Sequence, residues 1–423
     1  MSIAVRLRGG SVPAATSRGT SAGRTIRGPV RERHEPDWKL LTVVVLLAAI
    51  GIVMVYSSSA VRIALDPGGD LVRALLTELM WAVLGFASLA FFARLDYRAL
   101  RTLARPLFLL AIGLLVLVLL PAIGPIRPIE SGGAARWLQI GPLPQMHPAE
   151  LGKLALIVYL ARWLAAHGTR IGSFREGLIP YLAIAGVAIG LVALEPDLGT
   201  TIVYVLIAVS MLIVAGGRWK HLALLAPVGF AGLVLYVLRN PYQLKRWTTF
   251  LDPWSVALGD GFHTVQGLYA LSLGGLVGGG LGQSRQPGGL FLPNADNDFV
   301  FAMVGQELGL VGATAVLAAF VLMGGAGMRT ALRTNRDFEK LLAAGLTTIL
   351  GVQAFIIIGG VVRVVPLTGV TLPFMSYGGS SLVANYVLLA LLVRISDSTA
   401  RSLYEVTDEP GVLDRFRIRR MGA

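Results

Sequence analysis

Apolar residues dominate this chain in long uninterrupted stretches, and polar residues collect in the segments between them. Ten stretches approach the roughly 20 residues that an α-helix needs to cross the hydrocarbon core of a bilayer. They span residues 39–58, 74–93, 106–121, 148–166, 178–194, 198–216, 221–238, 298–326, 341–362 and 379–395. The pattern predicts an all-α polytopic membrane protein with ten transmembrane helices.

Composition and charge agree with this interpretation and orient the chain. Of 423 residues, 55% are hydrophobic and 14% are charged, and the mean hydropathy is +0.69. If the N-terminus is cytoplasmic, 27 of the 37 Lys and Arg residues lie in or beside the cytoplasmic segments. Because positive residues favour that side, the sequence predicts that both termini are inside the cell, the N-in/C-in topology.

Three parts of the chain follow from this arrangement. Residues 1–37 are rich in Arg, Ser and Gly, which predicts a disordered basic cytoplasmic tail. Residues 38–397 form the membrane domain, and residues 398–423 form a cytoplasmic C-terminal tail. Residues 239–297 are the large extracytoplasmic loop between spans seven and eight. Aromatic residues mixed with Lys and Arg predict that this loop lies along the membrane interface.

The net charge of +13 does not indicate a nucleic-acid partner. The excess of positive residues follows the predicted orientation, and no basic face interleaved with aromatic residues is visible. The glycine-rich run at 274–282 lacks the lysine of a phosphate-binding loop, although its glycines permit close backbone approach. With no cysteine in the chain, disulfides and thiolate metal sites are excluded.

Acidic residues open three spans on the predicted outer side. Glu150, Asp197 and Asp298 stand at the starts of spans four, six and eight. One interpretation is structural, since the helix dipole and N-cap positions favour carboxylates there. The other is a functional site. It is favoured by Lys153, whose ammonium lies among apolar residues and needs a paired carboxylate or a bound phosphate.

Further polar residues face the same predicted compartment. Arg136 precedes span four, whereas Arg246 and Gln266 lie in the large loop. Arg363 follows span nine and leads into the Pro-, Gly- and Ser-rich turn at 366–381. Irregular backbone at that depth is tolerated only inside protein or around a wet cavity, so we expect a cavity that opens outward.

Six motifs carry a resemblance to a known family. They are Gly-Ala-Ala-Arg136-Trp137, Pro-Ala-Glu150-Leu-Gly-Lys153, Glu195-Pro-Asp197-Leu-Gly-Thr, Pro293-Asn-Ala-Asp-Asn-Asp298-Phe, Gly-Gln-Glu307-Leu-Gly and Pro-Phe-Met-Ser-Tyr-Gly-Gly379-Ser-Ser. In this order they resemble the SEDS family (shape, elongation, division and sporulation), which includes FtsW, RodA and SpoVE. The likeness covers roughly residues 38–397.

The resemblance implies a peptidoglycan glycosyltransferase in the cytoplasmic (inner) cell membrane. Such an enzyme polymerises lipid II, the undecaprenyl-pyrophosphate-linked disaccharide-pentapeptide, at the outer face. The family works with a class B penicillin-binding protein transpeptidase and other division or elongation proteins, and needs a divalent cation, Mg²⁺ or Mn²⁺. The family's catalytic Asp maps onto Asp298.

We assign hypothetical roles to the residues singled out above. Asp298 serves as the catalytic base for the acceptor hydroxyl. The candidate substrate-binding residues, several of them suited to the pyrophosphate, are Lys153, Glu150, Arg136, Arg246, Gln266 and Arg363. The candidate metal ligands are the carboxylates of Asp197, Glu150 and Asp296.

Two other classes of function remain open at this point. A lipid II flippase or transporter also uses charges within the membrane, but usually shows internal repeats with helices broken at the midplane. A non-catalytic scaffold of the division or elongation machinery accounts for the tails. It does not account for Lys153 and Asp298 at helix starts.

Overall fold

The computed structural model describes residues 37–64, 71–122, 124–131, 134–141, 144–282, 292, 295 and 297–407. The predicted basic tail, apart from Asp37, and the candidate metal ligand Asp296 lie outside the described residues.

The described chain folds predominantly into helices. They are α1 Trp38–Ala64, α2 Leu71–Arg94, α3 Arg98–Leu119, α4 Pro148–His167, α5 Ile179–Leu194, α6 Leu198–Val214, α7 Trp219–Arg239, α8 Pro241–Leu251, α9 Phe262–Gly274, α10 Val300–Arg333, α11 Asp337–Val361 and α12 Gly379–Thr407. Each of the ten predicted apolar stretches falls on one of these helices. Within the described ranges, eight helices are long and apolar enough to cross a membrane. The protein is therefore a multi-pass membrane protein.

Helix boundaries follow local sequence with two departures from the prediction. Pro148 occupies the first turn of α4, where its missing N–H costs nothing. By contrast, α3 begins at Arg98 and carries Pro106 in its interior, so this proline does not start the helix. α12 continues to Thr407, beyond residue 397, where we expected the membrane domain to end.

The buried centre of the bundle is α11, which packs against α4, α6, α9, α10 and α12. Most of its residues are buried. Gly345 allows the close approach of α4 and α6, because a Cβ at this position would overlap Ile157 and come within 3.2 Å of Met211 Sδ. Such packing in a bilayer favours small residues at helix contacts.

A small β-hairpin corrects the all-α prediction. Strands β1 (Ile126–Ser131) and β2 (Ala134–Ile140) pair antiparallel between α3 and α4, with Ile126 opposite Ile140. An isolated bridge between Leu138 and Met146 connects the hairpin to the approach to α4. The fold is mostly helical, with this one sheet among the described residues.

Helices α8 and α9 lie within the stretch predicted as the large extracytoplasmic loop. Both helices bury polar residues and expose apolar ones. In α8, Gln243 and Thr249 are buried whereas Leu244 and Leu251 are exposed. In α9, Gln266 is buried whereas Leu273 is exposed. Exposed apolar residues of this kind are expected where a helix contacts lipid. The interfacial location of this stretch stays a prediction.

Helix α10 is broken near its N-terminus. Gly309 has a φ of 67° and non-helical geometry, so residues 300–308 form a separate segment. We call residues 300–308 the leading segment of α10. It starts directly after Asp298 and Phe299.

Candidate active site

Asp298 lies in a cavity of about 340 Å³ between α8, α9 and the end of α11. Two other predicted site residues, Arg246 and Arg363, line the same cavity. Three further charged or titratable residues join them: Lys245, Asp260 and His263. The carboxylates of Asp298 and Asp260 thus share the cavity with several cationic groups.

Asp298 and Arg246 both lie close to Gly369. A Cβ built on this glycine would lie 3.8 Å from Arg246 Nη2 and 3.9 Å from Asp298 Oδ2. Both charged groups are therefore within 4 Å of one point beside the Gly369 backbone. Gly369 has a φ of 75°, which a glycine adopts without the strain of a larger residue. The turn at 366–381 thus borders the cavity that its composition predicts.

Asp298 does not occupy the N-cap position of α10. That position is Phe299, which makes no side-chain cap hydrogen bond. The structural interpretation of Asp298 as the N-cap residue is therefore not supported by the helix boundary. Asp298 is partly exposed at the cavity, whereas Phe299 is buried beside it.

The two cavity arginines are oriented by backbone carbonyl groups. Arg246 Nη1 donates to Leu367 O at 3.3 Å. Arg363 Nε donates to Phe250 O at 2.9 Å, and its Nη2 donates to Leu251 O at 2.7 Å. These bonds attach the C-terminal turn of α8 to the segment that follows α11. They hold both guanidinium groups at the cavity wall.

Lys153 and Glu150 form a second polar group outside this cavity. Lys153 Nζ donates to Glu150 Oε1 at 2.7 Å across one turn of α4, and the lysine side chain is only 1% exposed. The prediction that this buried ammonium has a charged partner is confirmed. Gly152 lies against the Tyr204 hydroxyl group, which donates to Ala149 O at 2.8 Å, and this contact joins α4 to α6.

Asp197 is the N-cap of α6. Its carboxylate accepts from Thr200 N at 3.1 Å and from Thr200 Oγ1 at 2.7 Å, and His147 Nε2 lies 3.6 Å away. Burial alone would raise the pKa of Asp197. The hydrogen bond and charge of His147, together with Arg136 and the Thr200 amide, hold this pKa well below its usual value instead.

Glu195 lies two residues before Asp197, and its pKa is shifted in the opposite direction. Burial raises the pKa of Glu195 to about 8, and the Asp197 carboxylate adds to this effect while Arg136 opposes it. Arg136 Nη2 donates to Pro196 O at 2.8 Å, and Gln243 Nε2 donates to the same oxygen at 3.1 Å. This cluster fixes the turn between α5 and α6 against the β-hairpin and α8.

Tyr242 lies between Arg246 of the cavity and Arg136 of the cluster around Asp197. Its ring centroid is 4.8 Å from Arg246 Cζ and 6.0 Å from Arg136 Cζ. Such distances are typical of cation–π contacts. The structure therefore brings Asp298, Arg246 and Arg363 together in one cavity. Arg136, Asp197, Glu150 and Lys153 lie outside that lining, and Tyr242 connects Arg136 to the cavity.

Gln266 is buried in α9 and does not line the cavity, although His263 and Thr264 of the same helix do. Sequence reasoning did not assign Lys245, Asp260 or His263 to the site. The pairing of Lys245 Nζ with Asp260 Oδ2 at 3.0 Å depends on a turn between two short helices. No motif spacing signals such a contact.

The predicted metal ligands Asp197 and Glu150 do not form a complete ion site among the described residues. Within the described residues, no group of three or more His, Asp or Glu side chains is arranged to hold an ion. The Asp197 oxygens and Glu150 Oε1 already have protein partners. The cavity carboxylate Asp260 is likewise paired, with Lys245 Nζ at 3.0 Å. An ion at this cavity would therefore take most of its ligands from substrate phosphates and water, as Mg²⁺ commonly does.

Comparisons with known proteins place the chain in a family. The family model for FtsW, RodA and SpoVE, described as "Cell cycle protein", matches residues 37–401. The chain belongs to the FtsW/RodA/SpoVE family. Stage V sporulation protein E of Bacillus subtilis (strain 168) is 38% identical over 365 residues, which cover 86% of this chain and 98% of that protein.

A second member of the FtsW/RodA/SpoVE family has a named activity. The peptidoglycan glycosyltransferase RodA of Mycobacterium bovis is 36% identical, over 87% of this chain and 79% of its own length. Among solved structures, a chain of a peptidoglycan synthase complex that coordinates polymerisation and crosslinking superposes with a TM-score of 0.71. It has 28% identity and covers 86% of this chain and 98% of its own.

Proposed function

We infer that this protein is a peptidoglycan glycosyltransferase that polymerises lipid II at the outer face of the cytoplasmic membrane. Its family membership supports the reaction class. The observation that carries the site assignment is the single cavity in which Asp298 faces Arg246 and Arg363. We further propose that ten helices cross the membrane with both termini inside, which places this cavity at the outer surface.

The cavity suits a lipid-linked diphosphate. Arg246, Lys245 and Arg363 supply positive charge for a diphosphate leaving group. α8 exposes Leu244 and Leu251, whereas Lys245 and Arg246 of the same helix line the cavity. A substrate with a polyprenyl chain thus has an apolar path beside a charged binding site.

Asp298 is positioned to act as a general base. It takes the proton from the acceptor sugar hydroxyl as that oxygen attacks the anomeric carbon of the donor. The bond from the anomeric carbon to the diphosphate oxygen breaks, and the diphosphate leaves with the electron pair. The cationic wall stabilises the charge that develops on the leaving oxygen. A Mg²⁺ or Mn²⁺ ion carried by the substrate diphosphate would supply further positive charge at the leaving group.

The partner of this reaction is proposed from the structural similarity. The solved complex that matches this fold combines polymerisation with crosslinking. We propose that this chain likewise works beside a class B penicillin-binding protein transpeptidase, together with other proteins of division or elongation. The relatives include both a sporulation protein and a RodA, so the similarity leaves the cellular process open.

Replacing Asp298 with Asn tests the proposed base. The expected result is a loss of about 10²-fold or more in the rate of glycan polymerisation, because general base catalysis contributes roughly that much. Purified protein is incubated with fluorescent lipid II, Mg²⁺ and the transpeptidase, and glycan ladders are resolved on gels. Asp252→Asn is the matched control, since Asp252 caps the turn at Trp254 and Ser255 outside the cavity.

Near wild-type ladders from folded Asp298→Asn protein would refute this assignment. Movement of lipid II across liposomes by the wild type, without ladders, would favour a transporter instead.

A further inference from the structure

The break in α10 is closed by another part of the chain. Residues 274–282, the end of α9 and the glycine-rich run after it, lie along the break, and we call them the glycine strap. Gly279 N donates to Gln306 O and Gly280 N donates to Glu307 O, both at 3.0 Å. In return, Leu310 N donates to Gly275 O at 3.0 Å, and Val311 N donates to Leu276 O at 3.1 Å.

These four hydrogen bonds satisfy backbone groups that a broken helix leaves without helical partners. An unsatisfied backbone group within a bilayer costs several kcal/mol. The break at Gly309 and the glycine strap therefore stabilise each other. Neither is a local feature of one segment alone.

The contact depends on the absence of side chains at several positions. A Cβ on Gly274 would overlap Gly305 O, and a Cβ on Gly278 would overlap Glu307 O. A Cβ on Gly309 would overlap the Gly278 backbone. Because the opposing atoms are backbone atoms, they cannot turn away as a side chain does. The backbones of the strap and the leading segment of α10 are thus in direct contact.

The leading segment is also attached on its opposite side. Glu307 is buried at the end of this segment, and its carboxylate accepts a hydrogen bond from Ser57 Oγ of α1. At its start, the Phe299 ring packs so closely against α9 that a Cβ on Gly267 would overlap it. Asp298 immediately precedes this ring.

We propose that the glycine strap positions Asp298 for the reaction by fixing the leading segment of α10. Helix α9 and the strap form one continuous element, and α9 also carries His263 and Thr264 of the cavity. The strap thus sets the distance between the Asp298 side of the cavity and the α9 side. The cationic residues Arg246 and Arg363 belong to α8 and to the segment after α11, so they do not depend on this contact. The inference rests on the proposed function.

A graded series of glycine substitutions tests the proposal. Gly274→Ala places a Cβ against backbone and is expected to lower kcat for lipid II by about 10–100-fold, since displacement of a catalytic group by about 1 Å costs on this order. KM is expected to change less than about 3-fold, because Arg246 and Arg363 keep their places. Gly324→Ala is the control, since it lies in α10 beyond the break and a Cβ there meets nothing within 4 Å.

A second pair keeps the test decisive if Gly274→Ala does not fold. A Cβ on Gly305 would overlap the flexible Leu271 side chain rather than backbone. Leu271 is partly buried against the core and can move away only in part, so Gly305→Ala is expected to fold and to lower kcat less than Gly274→Ala. Gly305→Ala with Leu271→Ala is expected to remove the remaining loss at least partly. Thermal melts of each variant report folding independently of turnover.

Wild-type activity distinguishes a failure of the proposed function from a failure of the strap proposal. Absence of polymerisation by wild-type protein would overturn the proposed function itself. With an active wild type, the strap proposal is overturned if folded Gly274→Ala keeps the kcat of Gly324→Ala. It is equally overturned if the loss is in KM alone, or if Leu271→Ala brings no recovery to Gly305→Ala.

Discussion

Two neighbouring carboxyl groups show how strongly local partners decide ionisation at the residue scale. Asp197 accepts hydrogen bonds from Thr200 and lies beside His147, so its pKa is lowered despite burial. Glu195, two residues earlier, is 1% exposed, and neither of its oxygens has a hydrogen-bond partner within the described part of the chain. Its pKa of about 8 follows from this burial. Glu195 is therefore mostly protonated at neutral pH.

This difference predicts that Glu195→Gln changes the pH dependence of stability. The folded-state pKa of Glu195 is raised from 4.5 to about 8. The protonated side chain therefore stabilises the folded state fully below pH 4.5, and this stabilisation is lost as the pH rises through 8. Glu195→Gln removes that loss. Compared with wild type, the variant is expected to melt several degrees higher at pH 9, with a smaller difference at pH 6.

Melting temperatures in detergent between pH 6 and pH 9 check this expectation. Glu130→Gln, at an exposed position on β1, is the matched control and is expected to follow the wild-type curve. A Glu195→Gln curve parallel to wild type across this range would contradict the assigned protonation.

The sequence alone singled out three residues of the cavity, but it did not show which of the candidate residues lie together. Asp298, Arg246 and Arg363 meet in one cavity although more than fifty residues separate each from the next along the chain. Lys153 and Glu150 were recognisable as a pair because three residues on a helix place them on one face. Lys245 and His263 were not predicted as site residues, because their positions depend on how two short helices fold back.

At the scale of elements, long apolar stretches were predicted well and short or irregular elements were not. All ten apolar stretches coincide with helices, and within the described ranges eight of these helices are long and apolar enough to cross a membrane. Strands β1 and β2 lie in a polar loop with no clear alternation. The break at Gly309 depends on hydrogen bonds from residues thirty positions earlier, which no local pattern reveals.

The exposed apolar residues of α8, α9 and the turn between them predict that this region contacts lipid. Leu258, in the turn between these helices, is 98% exposed, and Leu251 and Trp254 beside it are also exposed. Such apolar exposure is unfavourable in water and favourable in a bilayer. A spin label at Leu258→Cys is therefore expected to be more accessible to oxygen than to a water-soluble nickel chelate.

The absence of native cysteines makes this label specific. Gln145→Cys, at an exposed position in the segment before α4, is the control and is expected to show the reverse accessibility. Preference of the Leu258 label for the nickel chelate would show that the turn is in water.

At the scale of the whole molecule, the number of membrane spans depends on α4 and α6. Among the helices of the described ranges, eight meet the length and hydropathy requirements for a membrane span, and α4 and α6 do not. α4 carries Glu150, Lys153 and Arg162, and α6 has 17 residues. Both nevertheless pack against the buried helix α11, and the Lys153 side chain of α4 is buried. Protein contacts thus substitute for hydrophobicity, and we expect ten spans.

Ser173 distinguishes ten spans from eight. With ten spans, the loop between α4 and α5 is cytoplasmic, so a membrane-impermeant maleimide is expected to label Ser173→Cys only after cells are permeabilised. With α4 and α6 outside the membrane, this loop moves to the outer face and is labelled in intact cells. Gln145→Cys is outside and Asn335→Cys is inside under both arrangements, so they serve as controls for labelling and for membrane integrity. Labelling of Ser173→Cys in intact cells, with Asn335→Cys unlabelled, would therefore exclude the ten-span topology.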